Sequence, residues 1–428
     1  MKFFNLIFRL EYIATFDIMF VAMGTHKKMK QTKKKVLFTY FESGNGHITS
    51  MKSISDNVKA LYGDKYDMND CYIMREDNDK TLIFFEKFIK RECINTNRLW
   101  GFGAFMFKLF DVLGGIHFTR FLWRTLFGKS TMHLIKALEK RNPDVIVSTH
   151  FVVTFAALEY RKKVNPNVII ITYNPDNNIY AMWDNRPHLF IVNNHQAYME
   201  AVGKRKFNSQ YVKEVSFPAR DEIVKYNDTK AQAREKLGID AKEFCVIVAD
   251  GAYACAKAEK SVKELLKSDK NMTLLFVAGK NKKLYDKYTK LIEEGKVKSN
   301  IHFKVLPFMT NIHEYYRASD VFVTKGGPNA ILDSMYMNTP VIVNYYAHPV
   351  EKFTTKLFVN EIGGGEAIYN MRKLAKRVDQ FIDNPQLLDE YVKNTYKLDK
   401  VNNGGIECAK LIDEKITNGL EPEEMRKK

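Results

Sequence analysis

Val36-Leu37-Phe38-Thr39-Tyr40-Phe41-Glu42-Ser43-Gly44-Asn45-Gly46-His47 is a short apolar, β-prone run that empties into a turn of small residues. Met51, Ile54, Val58 and Leu61 then recur at helical spacing, so the turn opens a helix. The same grammar returns at Asp320-Val321-Phe322-Val323-Thr324-Lys325-Gly326-Gly327-Pro328-Asn329, followed by Ile331, Leu332, Asp333 and Met335. Pro328 suits the first turn of the second helix. Strand, glycine turn and helix in this order are parallel βαβ units.

Outward from these anchors, further strands are expected at Val145–Thr149, Val168–Tyr173 and Leu189–Val192 in the first half. In the second half they are expected at Phe244–Ala249, Thr273–Ala278, Ile301–Val305 and Val341–Asn344, separated by Lys- and Glu-rich helical segments. The division falls near Phe217-Pro218. The expected fold class is α/β, with two doubly wound domains facing a cleft: a lead-in over 1–34, an N-terminal domain over 35–217, a C-terminal domain over 218–400, and a closing helix and tail over 401–428. Ligands then belong at the carboxyl ends of the strands. The closing helix is expected at Ile406–Ile416, packed back across the N-terminal domain.

Each glycine turn carries chemistry. Gly44, Asn45 and Gly46 let a ligand approach the backbone, where N–H groups and the helix dipole favour negative charge. His47 at the end of that loop is a candidate general base toward a hydroxyl, or a residue that only braces the helix start. In the second turn Gly326, Gly327, Pro328 and Asn329 could hold a diphosphate on backbone N–H groups. Asp333, about one turn later, could accept from ribose hydroxyls. Lys325 suits a phosphate or a nearby acid.

Net charge narrows the partner. The chain has 428 residues, and 67 Lys+Arg against 50 Asp+Glu give +17, which favours something anionic. At 45% hydrophobic it is too apolar to be disordered. Residues 81–128 hold 12 Phe or Trp, seven Lys or Arg and three acids. Lys87, Lys90 and Arg91 interleave with Phe84, Phe85, Phe88 and Ile89, and Arg120 and Arg124 flank Phe121, Leu122 and Trp123. Rings beside cations suit an anionic membrane surface; an aromatic core helix pair is the bland alternative. No nucleic-acid motif is visible, so no nucleic-acid partner is expected. Five scattered cysteines suggest neither disulfides nor a zinc site. Asp77-Asn78-Asp79 reads as a solvated turn, so no metal site is expected. Arg9, Glu11 and Asp17 interrupt the apolar start, which reads as a membrane-surface lead-in or as a start site set before Met23 or Met29.

These motifs, with Val277-Ala278-Gly279-Lys280-Asn281, Leu306-Pro307-Phe308-Met309 and Pro340, resemble the family of monogalactosyl- and glucosyl-diacylglycerol synthases. That family includes the N-acetylglucosaminyl transferase that makes lipid II. The resemblance spans about Lys35 to Ala367. It implies a GT-B fold, a UDP-sugar donor in the C-terminal domain, a lipid acceptor in the N-terminal one, and inversion without a cofactor or an essential metal. Carried over, His47 matches the proposed base, and Gly251 a glycine-rich diphosphate loop. Phe308 and Met309 match the pair beside uracil, Asp333 a ribose-binding Glu, and Glu351 a hexose contact.

The chain departs from the family pattern in places. The Gly251 loop keeps one glycine, Thr354 replaces an Asn, and Tyr180 replaces a histidine in the segment from Tyr173 to Trp183. The expectation is a peripheral hexosyltransferase on the cytoplasmic face of a membrane, acting on diacylglycerol. A soluble sugar-nucleotide epimerase and a decayed lipid- or nucleotide-binding protein are its rivals.

Overall fold

The computed structural model describes residues 33–41, 45–98, 116–251, 254–346 and 351–420. Gly44 and the lead-in residues Arg9, Glu11, Asp17, Met23 and Met29, on which expectations above rest, lie outside them.

Two six-stranded sheets form, ordered β2-β1-β3-β4-β5-β6 and β12-β11-β10-β7-β8-β9. In the first, β1 is Lys34–Thr39, β2 Tyr66–Cys71, β3 Val145–Ser148, β4 Ile169–Tyr173, β5 Leu189–Val192 and β6 Val212–Glu214. In the second, β7 is Cys245–Ala249, β8 Met272–Gly279, β9 Ile301–Pro307, β10 Val321–Lys325, β11 Val341–Tyr345 and β12 Gly365–Ala367. The strand pairs are parallel throughout. Helices cover both faces of each sheet, which is why the central strands read as unbroken apolar runs. In the first sheet Val36, Phe38, Val145 and Ile171 pack with Met51, Ile54 and Val58 of the helix Asn45–Tyr62. The opposite face, with Leu37, Ile146 and Ile170, meets Leu82, Phe85, Leu134, Leu138 and Val153.

Each strand expected from sequence forms within two residues of its expected ends. The three that sequence reading missed, β2, β6 and β12, are all sheet edges. An edge strand is buried on fewer sides, so Tyr66-Asp67-Met68-Asn69-Asp70-Cys71 lacks an apolar run. At β12 only glycine fits, since a Cβ on Gly365 would lie 1.9 Å from the Val341 carbonyl oxygen.

The Asp77-Asn78-Asp79 turn is not merely solvated. Asp79 caps the helix Lys80–Arg98, accepting from the Thr81 and Leu82 N–H groups at 2.8 and 3.1 Å, and lies 2.6 Å from His133. Asp77 accepts from Lys140 and Arg141.

The last helix, Gly404–Asn418, crosses back to the first domain. Cys408, Ala409, Ile412 and Ile416 enter the same core as Val36 and Ile54. Asp413 accepts from Lys65 Nζ and the Tyr66 hydroxyl at 2.6 and 2.5 Å. This helix therefore ties the end of the chain to the first sheet. Replacing the fully buried Ile412 by Ala is expected to cost about 2–5 kcal/mol in urea unfolding; a cost below about 1 kcal/mol would mean that this helix is not part of that core.

Candidate functional site

Each sheet reverses its strand order once. In the first, the chain runs from β1 to β2 on one side and to β3 on the other; in the second, β8 and β9 lie on one side of β7 and β10 to β12 on the other. A crevice opens at such a switch point, outside the carboxyl ends of the strands. Most of the residues singled out in the sequence collect at these two places; Phe308 and Met309 lie apart, after the edge strand β9.

After β1, His47 lies in the first turn of the helix Asn45–Tyr62. Its Nδ1 is 2.6 Å from the carbonyl oxygen of Thr149, which follows β3. A carbonyl only accepts, so Nδ1 carries a proton, and in the neutral ring the lone pair is then on Nε2. The Thr149 hydroxyl returns a bond to the His47 carbonyl at 3.0 Å. His150 packs edge-on against the His47 ring at 4.7 Å, between Phe41 and Phe151. Burial, and after it the proximity of His47, hold His150 well below the ordinary histidine range, so this second ring is neutral.

At the second switch point β7 ends in Asp250-Gly251 and β10 in Lys325-Gly326-Gly327. Lys325 Nζ lies 3.1 Å from Glu351, so of its two sequence-level partners the structure supplies the acid. Gly326 has no room for a side chain: a Cβ would sit 2.7 Å from the Glu351 carbonyl oxygen and 3.0 Å from the Tyr346 ring. Pro328 opens the helix Pro328–Tyr336, whose N-terminus receives no side-chain cap. Its first N–H groups thus remain available to an anion.

Gly251 has φ +82°, the left-handed region where glycine is favoured. Asp250 beside it accepts from the Tyr345 hydroxyl at 2.6 Å and the Cys255 thiol at 3.1 Å. Burial raises its carboxyl above the ordinary aspartate range, against the pull of those two bonds. Phe308 and Met309 follow β9, at the far edge of the sheet from Glu351. Phe308 is exposed, with Lys280 Nζ 4.7 Å over its ring.

The two crevices meet. Asn329 Nδ2 donates to Thr49 Oγ1 at 2.9 Å, and its amide lies against Gly46. Asn177, after β4, donates to Thr354 at 3.1 Å. Arg220, just beyond Phe217-Pro218, pairs with Asp333 at 2.8 Å. Sequence reading missed Arg220. Its one signal was position: a cation directly after the division between domains, with its partner acid more than 100 residues away. Burial, the largest influence, pushes the Asp333 carboxyl up to about 6 even with Arg220 beside it.

Beside this site, the segment at 81–128 divides its residues between core and surface. Leu82 and Phe85 are buried, whereas Phe84 is 71% and Phe121 63% exposed, with Phe88, Phe118 and Leu126 also outside. Arg120 and Arg124 are committed to Asp184 and Glu159 at 2.8 and 2.6 Å, so two cations expected at an anionic surface are held by acids of the same domain.

The profile described as monogalactosyldiacylglycerol (MGDG) synthase matches residues 47–208, and that of glycosyl transferases group 1 matches 230–398. A probable chloroplast MGDG synthase of Nicotiana tabacum is 24% identical over 364 residues, covering 81% of this chain and 64% of that one. The chain thus spans about two thirds of the length of the plant relatives it matches. A processive diacylglycerol β-glucosyltransferase of Bacillus licheniformis is 18% identical over 386 residues, 90% of this chain and 96% of that one. Among solved structures, Acinetobacter baumannii MurG gives a TM-score of 0.57 at 11% identity over 89% of this chain and 100% of that one. Anabaena HepE in complex with UDP-glucose gives 0.53 at 13% over 90% and 99%. At these identities the structural likeness establishes the GT-B fold.

The Arg220–Asp333 pair has a pH signature. A carboxyl raised on folding destabilises above its unfolded value, and Arg220 offsets that cost. Arg220→Ala is therefore expected to lower stability little at pH 5 and by up to about 3 kcal/mol at pH 8, read from thermal or urea unfolding. An equal deficit at both pH values would remove the electrostatic account.

Proposed function

Because the chain belongs to the monogalactosyl- and glucosyl-diacylglycerol synthase family of glycosyltransferases, we propose that it moves a hexose from a UDP-sugar onto the hydroxyl of a lipid, probed first with diacylglycerol, with inversion at the anomeric carbon. The observation that carries this reading is the placement of His47: an imidazole held by a carbonyl through Nδ1, which in the neutral ring puts the lone pair on Nε2, in the crevice where Gly46 meets Asn329.

The acceptor hydroxyl gives its proton to Nε2 as its oxygen bonds to the anomeric carbon from the face opposite the diphosphate. The bond from that carbon to the diphosphate oxygen breaks, and UDP leaves with the electron pair. Negative charge gathering on the diphosphate is met by the N–H groups at the start of the helix Pro328–Tyr336, by those near Gly251, and by Lys325. In this reading Asp333, oriented by Arg220, takes ribose hydroxyls, Phe308 and Met309 flank the uracil, and Glu351 meets the hexose. Asn45 and Gly46 border the acceptor. Support for the donor comes from HepE, which was solved with UDP-glucose, and for the acceptor from relatives named for diacylglycerol.

Among the described residues no helix is long and apolar enough to cross a membrane. Lipid access in this reading falls to the exposed rings of 81–128, at the cytoplasmic membrane face. Rings at headgroup depth contribute most to such binding, and the exposed Lys87 adds attraction to anionic lipid.

His47→Ala is expected to lower transfer from UDP-glucose or UDP-galactose to diacylglycerol vesicles by about 100-fold or more, with the Kd for UDP within about twofold of wild type. Undiminished transfer would sink the assigned base. A wild-type chain that binds UDP but moves no sugar to any lipid would favour the decayed binding protein. Exchanging Phe84 and Phe121 for Ser is expected to reduce flotation with anionic vesicles several-fold, while neutralising Lys373 and Lys376 leaves it nearly unchanged; equal effects of the two changes would remove the membrane role from this face.

A further inference from the structure

The loop that follows β4 is buried and held from several sides. Asn174 Nδ2 donates to the carbonyls of Asp176 and Asn178 at 2.9 and 3.1 Å. Asn193 donates to the Pro175 carbonyl at 3.1 Å, and Glu200 accepts from the Ile179 N–H at 2.8 Å. Polar residues at such a loop normally reach solvent; here Asn177 and Asn178 are only 4% and 6% exposed. Asn177 spends its Nδ2 on Thr354 across the interface between domains. Among the described residues neither Asn177 Oδ1 nor Asn178 Oδ1 receives a hydrogen bond.

A buried amide oxygen without a donor is costly, and buried polar groups are almost always satisfied. Two successive ones on a rigid loop make a pair of acceptors for a ligand. Their neighbours define its chemistry. Thr354 lies three residues after Glu351 in the helix Glu351–Thr355, hence on the same side, and Glu351 pairs with Lys325 at the end of β10. Asn177 therefore belongs to the hexose end of the cleft proposed above, and Asn178 is the next residue of the same loop. The diphosphate of a UDP-sugar, substituted at both ends, carries no proton at neutral pH and an acyl chain has nothing to donate, whereas a hexose offers several hydroxyls.

Resting on the UDP-sugar reading, we propose that Asn177 and Asn178 accept hydrogen bonds from hydroxyls of the hexose carried by the donor. The sugar is then selected by a loop of the N-terminal domain together with the Glu351 helix. Sugar choice depends on closure of one domain against the other, because the two walls of the sugar subsite belong to different domains. The Asn177–Thr354 bond fixes their spacing. A subsite built to accept hydroxyl protons rejects an analogue that lacks them more strongly than an apolar pocket could.

The test is calorimetric titration of the full chain with UDP, UDP-glucose and UDP-galactose, comparing wild type with Asn178→Leu, Asn178→Asp and Thr354→Val. Asn178→Leu is expected to weaken the preferred UDP-hexose at least tenfold while UDP stays within about twofold. Asn178→Asp, which keeps an acceptor, restores most of the affinity. Thr354→Val leaves both amide oxygens in place and retains more hexose affinity than Asn178→Leu. Singly deoxygenated UDP-hexoses read the same contacts on the unmutated chain: a loss of at least tenfold at one or more positions is expected, and Asn178→Leu loses nothing further at a position that Asn178 serves.

Uniform affinity across the deoxy series, or an equal loss of UDP and UDP-hexose in Asn178→Leu, overturns the inference while leaving the donor reading intact. Absence of UDP binding by the wild type overturns the donor reading and this inference with it.

Discussion

A parallel sheet that reverses its strand order sends two connections away in opposite directions and leaves an open crevice at its carboxyl edge. This chain does so twice, between β1 and β3 and between β7 and β10, and the two crevices meet where Asn329 touches Thr49 and Gly46. Much else follows from that constraint. The glycine turns are needed because backbones approach there, as at Gly326 against Glu351 and Tyr346. The uncapped helix start at Gly327 and the His47 imidazole become useful only because the opposing domain turns them into the walls of one site. The C-terminal helix, by returning to the first core through Cys408, Ile412 and Ile416, connects the second domain to the first a second time.

The residues that depart from the family pattern have structural partners. Asp250 stands in the loop that keeps only Gly251, and its carboxylate is drawn into bonds with Tyr345 and Cys255 beneath the cleft. Thr354, where an Asn is common, receives the amide of Asn177 from the segment in which Tyr180 replaces a histidine. One departure is thus bonded to the segment that holds another, 177 residues away. The same economy appears at the aromatic segment. Arg120 and Arg124 are used to anchor the helix Ile116–Arg141 to Asp184 and Glu159, while Phe118, Phe121 and Leu126 of that helix stay exposed.

Sequence alone determined the alternation of strand and helix, the central strands and the two glycine turns. These are local: an apolar run buried on both faces and a small-residue turn into a helix have the same signature wherever they occur. The edges β2, β6 and β12 were invisible, because a strand paired on one side needs no apolar run and one of three residues has no period. Also invisible were the partners of known residues. Nothing near Asp333 announced Arg220, nothing near Lys325 told whether Glu351 or a phosphate would face it, and nothing near His47 announced the Thr149 carbonyl that decides its tautomer. These pairings join positions 26 to 113 residues apart, and a hydrogen bond across that separation is set by where the sheets turn rather than by any neighbour in the chain. Only the tertiary structure buried Asn177 and Asn178, because a loop residue leaves water only where distant parts of the chain, such as Thr354 against Asn177, close over it.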